Sequence, residues 1–198
     1  MFKIPELLKA TGGALVSGDA GIIVEGISID SRCVRKNEAF LAIKGERFDG
    51  HDFIDQVIKK GVKCVIAQKE RQRCGVSFIQ VRDTTKALGD IARFNRNRFK
   101  HIPLIPVTGS NGKTTVKEMI ARVLSSKFKV LKNEGTKNNH IGLPLTLLKL
   151  DNSYDLAVLE IGTNHFGEVR YLSGIAQANI GVVTNIGPAH LEYLKNLK

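Results

Sequence analysis

Residues 109–115, Gly-Ser-Asn-Gly-Lys-Thr-Thr, place two glycines, a lysine and two adjacent threonine hydroxyls in one short run. Those residue types in that order suit phosphate binding. Gly109 and Gly112 let the backbone turn successive N–H groups toward phosphate oxygens, a conformation other residues resist. Lys113 supplies a mobile positive charge for the outer phosphates, and the Thr114 hydroxyl is a hard oxygen placed for a magnesium ion. The run departs from the common G-x-x-x-x-G-K-[ST] pattern, because Val107 stands where the first glycine would be, and the loop is the shorter G-x-x-G-K-T-T. A glycine-rich turn with a surface lysine is the bland alternative; the flanking segments argue for the chemistry. Gly109, Ser110, Asn111, Gly112, Lys113, Thr114 and Thr115 are therefore the candidate nucleotide-binding residues.

Two further groups fall where a nucleotide-binding sheet gathers its chemistry. Glu160 closes an apolar run over 154–161, and a carboxylate at such a strand end is a natural second hard ligand for Mg²⁺. His190 follows Gly187-Pro188 at the end of another short apolar run and is a candidate metal or phosphate ligand. Asn138 and Asn139 suit a turn as well as a site. His140 and His165 carry no signal from spacing alone.

The elements that must position these groups are legible from periodicity. A β-branched run over 102–108 precedes the loop, and Val116, Met119, Ile120, Val123 and Leu124 follow it at helical spacing. Strands are expected near 129–131, 154–161 and 180–184, with helices near 143–148 and 168–176. Strand and helix alternate, which predicts a doubly wound parallel sheet with its site at the C-terminal strand ends. Before residue 100 the pattern is a helix over 4–9, a loose strand pair over 21–29, strands over 38–43, 62–67 and 77–81, and helices over 52–60 and from a cap at Asp83. The expected fold class is α/β: a small mixed α/β N-terminal domain, 1–100, then a P-loop ATP-binding domain of parallel-sheet type, 101–198. The boundary is set at Lys100 to Pro103, where proline ends the helix.

The totals narrow the class. The 198 residues carry a formal net charge of +11, yet the basic residues are dispersed, the one cluster (Arg93, Arg96, Arg98, Lys100) closes a helix where solvated cations complement its dipole, and there is no tryptophan. Nucleic-acid binding is not expected; an anionic small substrate uses the same charge. Mean hydropathy is -0.07, and no apolar run approaches a membrane span. Three cysteines without a C-x-x-C pair fit free thiols in a reducing compartment. The expectation is a cytoplasmic monomer without membrane insertion.

The combined motifs carry a resemblance. Gly109 to Thr115, Asn138-Asn139-x-x-Gly142-x-Pro144, Glu160-Ile161-Gly162-Thr163-Asn164-His165-x-Gly167-Glu168 and Asn185-Ile186-Gly187-x-Ala189-His190-Leu191 are similar to the central-domain motifs of the Mur ligases of peptidoglycan synthesis. Asp30-Ser31-Arg32, Phe40-x-Ala42-x-x-Gly45 and Asp49-Gly50-His51 resemble the uridine-nucleotide domain of its later members. The Glu-Ile-Gly-Thr-Asn-His form resembles the member that takes D-alanyl-D-alanine.

The resemblance implies ATP and Mg²⁺ as cofactors, and UDP-N-acetylmuramoyl-tripeptide and D-alanyl-D-alanine as partners joined through an acyl phosphate. It implies that Lys113 steadies the transferring phosphoryl group and that Thr114, Glu160 and His190 serve two magnesium sites. Asn139 would face substrate or nucleotide, Thr163, Asn164 and His165 the peptide end, and Ser31 with Gly45, Glu46, Arg47 and Phe48 the uridine diphosphate. It also implies a carbamylated lysine and a further C-terminal domain after His190. Lys195 and Lys198 follow His190 too soon to replace that lysine. The expectation is thus an N-terminal fragment or truncated product with little ligation activity by itself. A P-loop phosphoryl-transfer enzyme and a non-catalytic UDP-sugar-peptide binding module are the competing readings.

Overall fold

The computed structural model describes residues 1–69, 75–135, 137–163, 165–178 and 180–188. His190 and Asn164, both candidate site residues, lie outside the described residues, as do Cys74, Lys195 and Lys198. Contacts divide the chain into two compact units, Met1–Ile91 and Ala92–Lys198.

The first unit opens with strand β1 (Phe2–Lys3) and helix α1 (Ile4–Thr11), where Pro5 sits in the first turn and its absent N–H leaves no helical bond unmade. Strands β2 (Ala14–Ser17), β3 (Ile23–Val24), β4 (Ile27–Ser28) and β5 (Ala39–Leu41) follow, then a 3-10 turn at Gly50–Phe53, helix α2 (Ile54–Lys59), strands β6 (Cys64–Ala67) and β7 (Ser77–Gln80), and helix α3 (Thr84–Arg98). The main sheet has the order β2-β7-β6-β5-β4, parallel except where β2 runs against β7. The strand pair expected over 21–29 does not pair with itself: β3 joins β1, and β4 joins β5. With only two residues each, β3 and β4 are too short to make a hairpin ladder, so each borrows a neighbour. Every residue of β5 and β6 is buried, as an apolar run in a parallel sheet should be. Phe40, Val65 and Phe78 pack against Ile54 and Val57 of α2.

The second unit holds β8 (Leu104–Thr108), α4 (Lys113–Leu124), β9 (Val130–Lys132), α5 (Gly142–Leu147), β10 (Leu156–Glu160), α6 (Glu168–Ala176) and β11 (Val182–Val183). Its sheet has the order β11-β8-β10-β9 with every pairing parallel. Along β10 successive side chains enter different cores: Leu156 and Val158 join the cluster under α4, while Ala157 and Leu159 join the cluster with Leu143, Leu147, Leu172 and Ile175 from α5 and α6. This period of two decides where Glu160 points, because it shares the α4 face with Leu156 and Val158.

Two details differ from the sequence pattern. On α4 the sheet-facing stripe is Val116, Ala121, Ile120 and Leu124 together with a fully buried Lys117, whereas Met119 and Val123 are exposed. Arg96, expected to be solvated, is fully buried: its Nε donates to Ala176 O at 2.9 Å, and its two terminal nitrogens donate to Phe99 O and Gln177 O. It thereby satisfies carbonyls at the C-terminal end of α6, and burial pushes its guanidinium pKa down from the usual arginine range. Its neighbour Asn95 donates to Leu147 O and Leu150 O at the end of α5. These bonds draw the last turns of α3 into the second unit, so the division at Ile91 falls inside that helix, while the proline boundary near Lys100 marks where β8 is about to begin.

Candidate phosphate and metal site

Strand β8 delivers its C-terminal end into the glycine loop, and α4 starts at Lys113, so the helix N-terminus opens directly onto the loop. Gly109 adopts φ +136° and Gly112 φ +76°, both in the region that favours glycine. The loop is clamped from one side by the segment after β11. Ser110 N donates to Asn185 O at 3.0 Å, Asn111 N donates to Asn185 Oδ1 at 2.9 Å, and Thr184 Oγ1 donates to Asn111 O at 2.6 Å. Ser110 Oγ exchanges bonds with Gly187 O and Gly187 N.

The N–H groups of Ser110 and Asn111 are thus committed to the protein itself. Those of Lys113, Thr114 and Thr115, in the first turn of α4, have no backbone acceptor among the described residues. Three open donors at a helix start suit an anion, and the helix dipole favours one there. Lys113 Nζ lies over the same loop, donating to Gly109 O at 2.7 Å and Ser110 O at 3.1 Å. Beside it is a cavity of about 420 Å³ whose walls include Lys113, Thr114, Asn138, Glu160 and Thr163.

Glu160 is buried at the end of β10, 2% exposed, and both carboxylate oxygens are engaged: Thr114 Oγ1 donates to Oε2 and Asn138 Nδ2 donates to Oε1, each at 2.7 Å. The main chain of Glu160 is held as firmly. β9 stops at Lys132, and the Asn133 side chain takes the place of the next ladder residue: Glu160 N donates to Asn133 Oδ1 at 2.8 Å and Asn133 Nδ2 donates to Glu160 O at 3.0 Å.

Thr114 and Glu160 are the two hard oxygens the sequence singled out, and the fold brings them face to face. Their 2.7 Å separation is close to the ~2.9 Å edge of an octahedron with Mg–O of about 2.1 Å, so the pair fits two adjacent magnesium positions. Among the described residues no group of three or more His, Cys, Asp or Glu side chains could hold a metal alone.

The other candidates are placed differently. Asn139 turns its Oδ1 to Ile141 N and Gly142 N at the start of α5, while its neighbour Asn138 reaches the carboxylate. Thr163 lines the cavity and donates to His165 O. The exposed His165 interacts with Glu168 through both its backbone N–H and its ring. In the first unit Ser31 is buried, and its carbonyl accepts from Lys60 Nζ at 2.7 Å. Next to it Arg32 forks onto Asp30, and that guanidinium with its backbone N–H holds the Asp30 carboxyl at about 2, well below the usual carboxylate range. Residues 45–48 form an exposed turn closed by Gly45 N donating to Phe48 O, with the Phe48 ring in solvent. Sequence reasoning missed Asn133 and Lys117. An asparagine directly after the Val130 strand was the available signal for the first, and nothing in the pattern distinguishes Lys117 from a surface lysine.

A parallel α/β sheet whose first strand runs through a glycine turn into a helix, with a threonine and a strand-end carboxylate converging there, defines the class of phosphate-loop proteins. Within that class the chain belongs to the Mur ligase family: residues 23–96 match the Mur ligase family, catalytic domain, and residues 107–198 match the Mur ligase middle domain. It is 40% identical to the UDP-N-acetylmuramoyl-tripeptide--D-alanyl-D-alanine ligase of Haemophilus influenzae over 90% of this chain and 40% of that one. A crystal structure of MurF from Acinetobacter baumannii superposes with a TM-score of 0.92 at 36% identity, covering 98% of this chain and 43% of that one. MurF ligase from Thermotoga maritima, solved in complex with ADP, gives a TM-score of 0.80 at 34% identity over 86% of this chain and 40% of its own. The chain therefore spans about two fifths of the length of these relatives. No helix among the described residues is long and apolar enough to cross a membrane.

Proposed function

We propose that this chain supplies the uridine-nucleotide-binding and ATP-binding parts of a cytoplasmic, monomeric ligase of peptidoglycan precursor synthesis. The reaction joins D-alanyl-D-alanine to UDP-N-acetylmuramoyl-tripeptide. The γ-phosphoryl group of ATP passes to the terminal carboxylate of the tripeptide, giving an acyl phosphate and ADP. The amine of D-alanyl-D-alanine then attacks the acyl carbon, phosphate leaves with the C–O bonding pair, and the new amide sheds the amine proton.

The observation that carries this reading is the pairing of Thr114 with Glu160 across the mouth of the α4 N-terminus, with Lys113 on the same loop. In this reading the open N–H groups of residues 113–115 bind the phosphate oxygens, and Lys113 swings from Gly109 O and Ser110 O to the transferring group. Thr114 and Glu160 would hold a magnesium ion, which would supply neutralisation of phosphate charge. His190 would serve a second magnesium site, Asn139 the substrate or nucleotide, and Thr163, Asn164 and His165 the substrate's peptide end. Ser31 and residues 45–48 contact the uridine diphosphate.

Calorimetric titration tests the reading. The chain is expected to bind ATP more tightly with Mg²⁺ than with EDTA. Lys113→Ala should weaken ATP in both conditions, and Glu160→Gln should abolish the Mg²⁺ effect. The UDP-sugar tripeptide should bind with Lys113→Ala as it does with the wild type. Phosphate release from ATP that needs no UDP-sugar tripeptide would count for a different phosphoryl-transfer enzyme, and failure to bind either ligand would overturn the reading.

A further inference from the structure

A lysine ammonium buried without water is costly, and Lys117 is 0% exposed in the middle of α4. It lies one turn beyond Thr114, on the same helix face. Its Nζ donates to Asn133 O at 2.8 Å and pairs with Glu118 Oε1 at 3.0 Å, while the other oxygen of Glu118 meets Lys132, next to Asn133. The Asn133 side chain, 1% exposed, spends its amide on three main-chain bonds: both to Glu160 and one to Lys137 O at 2.9 Å.

Helix α4 is therefore tied to the end of β10 twice. One tie is direct, from Thr114 to the Glu160 carboxylate. The other runs from Lys117 through Asn133 to the Glu160 backbone. Without the second tie, the end of β10 lacks its ladder partner on the β9 side, and the one polar bond left between α4 and the end of β10 is the hydroxyl bond that a metal must displace.

We infer that Lys117 and Asn133 are positioning residues for the metal: they fix the Glu160 backbone relative to α4, so that the Thr114 and Glu160 oxygens keep the spacing of adjacent magnesium positions after their own hydrogen bond is given up. This rests on the reading of Thr114 and Glu160 as magnesium ligands. Partners that orient metal ligands without touching the metal typically change affinity by about 10–100-fold when removed.

The test is Mn²⁺ binding to the ATP complex of the chain, followed by electron paramagnetic resonance, beside ATP titrations in EDTA. Lys117→Met keeps the apolar stem and removes the donor. It is expected to weaken Mn²⁺ by about 10–100-fold while leaving metal-free ATP affinity unchanged. Lys117→Arg, which keeps a long cationic donor for Asn133 O, should recover most of that loss. Should Lys117→Met fail to fold by circular dichroism, Asn133→Asp takes its place; it keeps the acceptor for Glu160 N and removes the donor to Glu160 O, and the same loss is expected. A folded variant that is less stable yet holds Mn²⁺ as the wild type does would overturn the inference, since Lys117 and Asn133 would then serve packing alone. A wild-type chain that binds no Mn²⁺ with ATP would instead remove the metal reading itself, and the inference with it.

Discussion

Gly109→Ala should be among the most damaging single-methyl additions to the second unit, and the structure says why. A Cβ at Gly109 would stand 2.2 Å from Thr184 Oγ1 and 2.9 Å from Asn185 O, at a φ of +136° that side chains rarely adopt. To reach even a tight contact the Thr184 hydroxyl must retreat by roughly 1 Å, which breaks its 2.6 Å bond to Asn111 O. The hydroxyl has one proton to give, so one lost hydrogen bond at about 1 kcal/mol, added to about 1–3 kcal/mol of backbone strain, gives about 2–4 kcal/mol. That is a large share of the ~5–15 kcal/mol that holds a typical domain. Gly112→Ala is the internal control: nothing lies within 4 Å of its added Cβ, so only the left-handed backbone at φ +76° is charged, about 1–2 kcal/mol. The reporter is built in, because the chain has no tryptophan, no tyrosine lies in the first unit, and Tyr154 and Tyr171 lie in the second unit. Urea unfolding followed by tyrosine fluorescence therefore reads that unit alone. Thr184→Ala removes the clashing oxygen and the same bond, so the double variant should fall about 1 kcal/mol short of the summed losses. Strict additivity, or a Gly112→Ala loss equal to that of Gly109→Ala, would refute the clamp as drawn.

Two further outcomes follow from the first unit. Burial pushes the Cys64 thiol up to about 12, so it stays protonated and shielded at neutral pH while Cys33 is exposed; peptide mapping after brief maleimide treatment should find Cys33 modified and Cys64 modified only once urea unfolds the unit, and rapid native labelling of Cys64 would contradict the packing of β6. Asp30 has its carboxyl held at about 2 by Arg32, against an ordinary value of 3.8. The Asp30–Arg32 fork therefore stabilises the fold fully above the ordinary value and loses that contribution as pH falls through about 2. A carbon-detected NMR titration should place the wild-type midpoint there and move it upward in Arg32→Ala, whereas a wild-type midpoint near 3.8 would mean that the fork does not form in solution.

The parts of the fold that were legible in sequence are those where local pattern and tertiary demand agree. Residues 168–176 read as a helix and are α6, and the loop between β8 and α4 could be placed from its glycines alone. The short strands β1 and β2 escaped notice because neither carries a periodic pattern long enough to register, and each exists through a partner far along the chain. Met119 and Val123 fit a helical apolar stripe but face outward, since the stripe is decided by what covers it: the sheet side of α4 accepts Lys117, whose ammonium finds Glu118 and Asn133 O, in place of another hydrocarbon. Periodicity counts residue types and cannot see a partner sixteen residues away. The same limit explains Asn138 and Asn139, indistinguishable in sequence: one bonds Glu160 and the other the start of α5, a difference set by which side of the turn faces the cavity.

Site placement, by contrast, follows from strand polarity more than from any single motif. All four strands of the second sheet run the same way, so Gly109 after β8, Asn133 after β9, Glu160 ending β10 and Thr184 after β11 reach one edge together. β8 lies between β10 and β11, which gives its loop two flanks. The β11 flank spends its groups on the loop backbone at Ser110 and Asn111 and fixes its shape. The β10 flank presents Glu160 on the α4 face, because the alternation that buries Leu156 and Val158 there leaves the next member of the series at the helix N-terminus. One flank is a scaffold of hydrogen bonds onto the loop, from side chains and main chain together, and the other carries the exchangeable hydroxyl–carboxylate contact. A ligand with phosphate and metal can therefore replace the second without disturbing the first. Mutations in 184–187 should accordingly appear first as lost stability, and mutations at Thr114 or Glu160 first as lost metal dependence.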